Sequence, residues 1–248
     1  MIRFMNRIAV FATVVLAAGV AHASSVKDII GATYKLYQND RPICSGQFVK
    51  SDATDDFFLT AAHCIADAGP KTTFSIRKQK LDEKFNPISE QIFYLKPVRV
   101  MKKRDVALLR AIDPSGNFDT VQIATVDEAN SVEIGAPVIV VGYPKVLEIT
   151  YTSGEFTGKA RSPMEAEIDS PLYRTTAPLT GGSSGGGLYM KVGEGDYRLF
   201  GTTTGTFRDV SFMNYFATAE SVNDVVKTFV GPLATPTPPA VVNPADER

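Results

Sequence analysis

The sequence predicts an all-β protein built in two halves and closed by a short C-terminal helix. Three observations carry that expectation. Short apolar or alternating runs recur along the chain with turn residues between them. A polar stretch from Asp113 to Asn130, containing Pro114 and Gly116, divides those runs into two sets. One late segment changes period, with Val222, Val225, Val226, Phe229 and Val230 at helical spacing.

Residues 1–23 carry the pattern of a secretory signal. Arg3 and Arg7 make a basic start, Ile8 to Val20 is an uncharged and largely apolar run, and Ala21-His22-Ala23 is a small-x-small cleavage site. That run is shorter than the roughly 18 residues of a membrane span. The expected mature chain starts at Ser24 and is secreted or periplasmic, without stable membrane association. A signal kept as an uncleaved anchor is the alternative.

In the first half, residues 24–120, Val26 to Tyr37 is partly alternating and β-rich. Cys44 to Val49 leads into a strand, and Phe57 to Thr60 forms the next after a polar turn. Residues 71–100 alternate basic residues with Phe74, Ile76, Leu81, Phe93 and Leu95, as hairpins with one wet face do. Val106 to Leu109 is an apolar strand headed by Asp105. The basic run Lys102-Lys103-Arg104 before it is a solvated loop or a substrate-steering patch.

In the second half, residues 121–218, Val138-Ile139-Val140-Val141 places four β-branched residues together, which argues a buried strand. Ile149 to Lys159, Gly187 to Met190 and Arg198 to Gly205 supply further strands. The helix is expected within 219–231, with Ser221-Val222-Asn223-Asp224 as a capping box and Gly231-Pro232 as its stop. Residues 232–248 are proline-rich and poor in large apolar groups, so they are expected to stay disordered.

The chain has 248 residues, 44% of them hydrophobic, and a net charge of −1. That balance gives no support to a nucleic-acid partner. Two cysteines and one histidine beyond residue 23 are too few for an ordinary structural zinc site.

The chemistry points to Thr180-Gly-Gly-Ser-Ser-Gly-Gly-Gly187. Five glycines among eight residues let a loop lift a hydroxyl out of the chain and aim backbone N–H groups at one point. Acyl transfer needs both, an exposed nucleophile and a pocket for the oxyanion. A flexible glycine-serine turn is the plain alternative. A serine nucleophile also needs a base, and His63 is the one histidine outside residues 1–23.

Leu59-Thr60-Ala61-Ala62-His63-Cys64 resembles the histidine motif of chymotrypsin-like serine proteases. Lys103-Arg104-Asp105-Val106-Ala107-Leu108-Leu109 resembles that family's aspartate motif, and Gly182-Ser183-Ser184-Gly185-Gly186 its serine motif. Motif order separates this family from others. No histidine follows Ser184, which removes the base from a lipase-type elbow, and the aspartate follows the histidine, which excludes subtilisin order. The layout is most similar to the bacterial high-temperature-requirement and glutamyl endopeptidase branches.

The resemblance implies two antiparallel six-stranded β-barrels with the site between them. It implies a His63–Asp105–Ser184 triad, with Ser184 preferred over Ser183 because two glycines follow it directly. The amides of Gly182 and Ser184 would form the oxyanion hole, Thr176, Thr203 and Gly205 would line the first substrate pocket, and Cys44 would bridge Cys64. Polypeptide substrates are implied, and no metal or organic cofactor. Two rivals remain: a non-catalytic binding protein on the same fold, and a secreted esterase. Ile29-Ile30-Gly31 is similar to the new N-terminus of activated trypsins, but Ser183 stands where those proteins need an aspartate, so that activation is not expected.

Overall fold

The computed structural model describes residues 24–49, 57–69, 71–81, 87–161, 168–206 and 213–227. The expected signal segment and proline-rich tail lie outside these.

Two closed antiparallel barrels of six strands each make up the molecule. The first contains β1 (Thr33–Gln38), β2 (Arg41–Val49), β3 (Phe57–Thr60), β4 (Phe74–Leu81), β5 (Pro87–Met101) and β6 (Val106–Ala111). Their order around the barrel is β1-β2-β3-β6-β5-β4. The second contains β7 (Pro137–Gly142), β8 (Thr150–Ala160), β9 (Leu172–Thr175), β10 (Gly187–Gly193), β11 (Asp196–Thr206) and β12 (Asn214–Thr218). Read from β7, its order is β7-β8-β9-β12-β11-β10, the same topology again.

The continuous apolar runs follow from burial on both strand faces. Phe58, Ala107 and Leu109 point into the first barrel, while Phe57, Leu59, Val106 and Leu108 join a separate cluster outside it. In β7, Val138 and Val140 fill the second barrel, and Ile139 and Val141 enter that same outer cluster. Side chains alternate along a strand, so a strand covered on both sides must be apolar at every position. The shared cluster is the seam between the barrels. The linking segment crosses it: Val121 bridges Val49 in the first barrel, and Ile123 bridges Leu199 in the second.

Three helices complete the described fold: α1 (Val26–Ala32), α2 (Val126–Asn130) and α3 (Ala219–Lys227). The first corrects the β-rich expectation for residues 26–37, where only Thr33 onward is strand. Ser25 and Asp28 form a reciprocal capping box, each side chain accepting the other's backbone N–H. That cap outweighs the β preference of Ile29 and Ile30 and lets Ile29 and Ala32 face the seam.

Helix α3 also starts earlier than its capping pattern suggests. Thr218 Oγ1 accepts the Ser221 N–H at 3.4 Å, so Thr218 holds the capping position and Ser221 lies inside the helix, buried. Asp224, expected to complete the box, instead pairs with Arg104 of the first barrel. Val222, Val225 and Val226 pack into the seam at the expected spacing. No described helix is long and apolar enough to cross a membrane.

Candidate active site

β3 ends at Thr60, and the chain tightens into a 3-10 turn over Ala62–Cys64. Ala62 and Cys64 are buried in the first barrel, which turns His63 outward with its side chain 47% exposed. Cys64 is bonded to Cys44 of β2, with Cα atoms 6.2 Å apart, so the turn is tied to a neighbouring strand. His63, Cys44 and Cys64 lie close enough to hold a metal ion, but the disulfide occupies both sulfurs.

Asp105 follows a second 3-10 turn, Lys102–Arg104, and adopts a left-handed conformation with φ 52°. Aspartate tolerates that region better than most residues. The turn drives its carboxylate inward, where Asp105 is 3% exposed. Burying a carboxylate requires partners, and His63 supplies them. Its backbone N–H donates to Oδ1 at 2.9 Å, and its ring Nδ1 lies 3.0 Å from each carboxylate oxygen. With Nδ1–H donating to Asp105, the other ring nitrogen is left as the acceptor.

The serine loop comes from the second barrel and rests on this histidine segment. A Cβ on Gly185 would lie 2.2 Å from Ser45 O and from Thr60 Oγ1, and 2.9 Å from Ala61 N. Only glycine permits that approach, and its φ of +81° suits glycine as well. Ser184 is therefore one residue from a contact with Ala61, which is two residues from His63. Strand β11 braces the loop: Gly185 N–H donates to Thr203 O at 2.8 Å, and Thr203 N–H to Gly186 O at 2.7 Å. Ser183 is buried, whereas Ser184 is partly exposed. Among the described residues, the amides of Gly182 and Ser184 donate no hydrogen bond.

A cleft of about 590 Å³ opens beside His63 and Asp105, lined also by Ala66, Lys102, Ile168, Thr204, Gly205 and Thr206. Of the expected pocket residues, Gly205 lines this cleft and Thr203 lies buried beneath the serine loop. Thr176 is absent from the lining, and its N–H and hydroxyl both bond the Glu155 backbone. The basic turn divides its work. Lys103 pairs with Asp169 and Arg104 with Asp224, while Lys102 lines the cleft. Sequence inspection overlooked Ala66 and Ile168, which carry no motif signal of their own.

A family profile for the trypsin-like peptidase domain matches residues 44–194, more than half of the chain. The chain belongs to the trypsin-like peptidase family. Members of this family are serine endopeptidases, and the chymotrypsin-like pair of barrels is their fold. The peptidase resembles the solved structure of the HtrA-type protease AlgW with a tripeptide, at 18% identity and a TM-score of 0.63, over 84% of this chain and 64% of that one. It thus spans less than two thirds of that AlgW chain. It also resembles the Rv3671c protease from M. tuberculosis in its active form, at 20% identity and a TM-score of 0.62, over 96% of each chain. Deg5 matches at 19% identity and a TM-score of 0.60, over 80% of this peptidase and 88% of its own length. At these identities the likeness is one of fold. No curated protein matches the sequence.

Proposed function

We propose that this peptidase is exported and hydrolyses peptide bonds through an acyl-enzyme formed on Ser184. The observation that carries the proposal is the His63–Asp105 pair. A buried carboxylate grips both the backbone and the ring of a half-exposed histidine at the edge of a cleft. In the proposed reaction Ser184 Oγ attacks the substrate carbonyl carbon, and its proton passes to the His63 ring nitrogen that does not face Asp105. The negative oxygen that forms is held by the Gly182 and Ser184 amides. The carbon–nitrogen bond then breaks, and His63 returns the proton to the leaving amine. Water repeats the sequence on the acyl group. Asp105 fixes the imidazole tautomer and stabilises the imidazolium.

Export is supported by residues 1–23 and by the Cys44–Cys64 disulfide, a bond typical of oxidising compartments. The test is fluorophosphonate labelling followed by peptide mapping. The adduct is expected on Ser184, with activity falling by several orders of magnitude in Ser184→Ala and little in Ser183→Ala. An adduct on Ser183, or full activity without Ser184, refutes the assignment.

A further inference from the structure

Ser45 stands in β2, one residue after Cys44, and is fully buried. Four hydrogen bonds pass through it, and three of them reach the second barrel. Its N–H donates to the Ser184 carbonyl at 2.8 Å. Its hydroxyl donates to the Gly182 carbonyl at 2.8 Å and accepts the Tyr143 N–H at 2.8 Å. Its own carbonyl accepts from Thr60 Oγ1 at 2.7 Å, which fixes it to β3.

Those contacts complete a series. Four successive carbonyls of the serine loop are anchored: Gly181 by Lys145 N–H at 2.5 Å, Gly182 by the Ser45 hydroxyl at 2.8 Å, Ser183 by Gly186 N–H at 2.8 Å, and Ser184 by Ser45 N–H at 2.8 Å. A trans peptide points its C=O and its N–H in opposite directions. Holding the Gly181 and Ser183 carbonyls therefore aims the Gly182 and Ser184 amides the other way. Ser45 fixes the two peptides that alternate with these, and it does so from the first barrel.

The device is under strain. Lys145 and Val146 both have φ 51°, left-handed values that a β-branched valine adopts only when its surroundings impose them. The Tyr143 N–H bond to Ser45 is one such constraint. Gly182 is closely packed on the same turn, for a Cβ there would lie 2.6 Å from Val146 N. Removing the Ser45 hydroxyl would release the Gly182 carbonyl and the Tyr143 amide together, so both the loop and the strained turn could relax.

We propose that Ser45 is a positioning residue that presets the oxyanion hole by clamping the Gly182 carbonyl and the Tyr143–Val146 turn. The proposal rests on the acyl-enzyme reading above.

It is tested by comparing wild type with Ser45→Ala on a peptide substrate, a peptide boronic acid, and the same peptide as its C-terminal amide. The boronate adduct on Ser184 places a charged oxygen in the oxyanion hole, and the amide does not. Ser45→Ala is expected to lose about tenfold to a hundredfold in kcat with KM nearly unchanged. Boronate affinity should fall by at least about tenfold while amide affinity holds. Ser45→Thr, which keeps the hydroxyl, should recover most of the loss. An alanine variant within about threefold of wild type in kcat and boronate affinity overturns the proposal, as does an equal loss of boronate and amide affinity. If the alanine chain fails to fold, Ser45→Gly is measured in the same way, since a ratio of affinities does not depend on the folded fraction. Fluorophosphonate labelling of wild type separates the two claims. An unlabelled Ser184 refutes the acyl-enzyme reading and Ser45's role with it, whereas a labelled Ser184 beside an unaffected Ser45→Ala refutes Ser45's role alone.

Discussion

Asp105 accepts two donors from one residue, the main-chain N–H and the ring N–H of His63. A carboxylate satisfies both because it is acceptor-only, while an asparagine offers one oxygen and one NH₂ group. Asp105→Asn therefore leaves the NH₂ facing either donor, and the ring answers by moving its proton to the nitrogen that must serve as base. We expect kcat to fall by on the order of 10⁴-fold near neutral pH, with the fold retained. The wild-type rate should rise between about pH 6 and 8 as an imidazole base deprotonates. A flat wild-type profile from pH 5 to 8 would count against His63 as base. These residues were legible in the sequence because each sits in a motif of recognisable order. Ser45 was not. Its partners lie 98 and 137 residues away, and a serine between a cysteine and a glycine announces nothing until two barrels meet around it.

At the scale of elements, local signals and tertiary ones competed. The apolar strands β3, β6 and β7 were readable because burial on both faces removes the need for alternation. Residues 26–32 are helical against their β-branched content because the Ser25–Asp28 cap, a local signal of its own, outweighs it. Helix α3 shows the reverse, for a plausible capping pattern lost Asp224 to an ion pair with Arg104, which no local pattern contains. The disulfide is the element-scale feature with the clearest consequence. It joins β2 to the turn that presents His63 across 20 residues of sequence. Closing a loop of that length stabilises by roughly 3 kcal/mol through the unfolded chain. Reduction, or the double replacement of Cys44 and Cys64 by alanine, should lower the thermal midpoint by about 6–12 °C. The disulfide is contradicted by two free thiols in the unreduced, denatured protein. An unchanged midpoint after verified reduction would show that it adds no stability.

For the whole molecule, we expect the cleft between the barrels to select the substrate. The apolar cluster at the seam fixes the two barrels against each other, and the cleft takes His63, Asp105 and Lys102 from one and Ile168 and Thr204 to Thr206 from the other. The charges in that lining are unbalanced. Asp105, its one carboxylate, is engaged by His63, while Lys102 has no carboxylate partner among the described residues. Segments 175–180 and 201–206, which the family resemblance places around the residue before the cut, contain no acidic side chain. An arginine or lysine entering there gives up its hydration and meets no acidic partner in these two segments, which costs several kcal/mol. Small or medium uncharged side chains meet no such penalty, so we expect them to be preferred. The measurement is kcat/KM on peptides that differ only at the residue before the scissile bond. Alanine, valine and leucine should exceed arginine and lysine by at least about tenfold. A tenfold preference in the opposite direction would mean that a carboxylate outside the described lining reaches the pocket, and the assignment of residues 175–180 and 201–206 to it would fail.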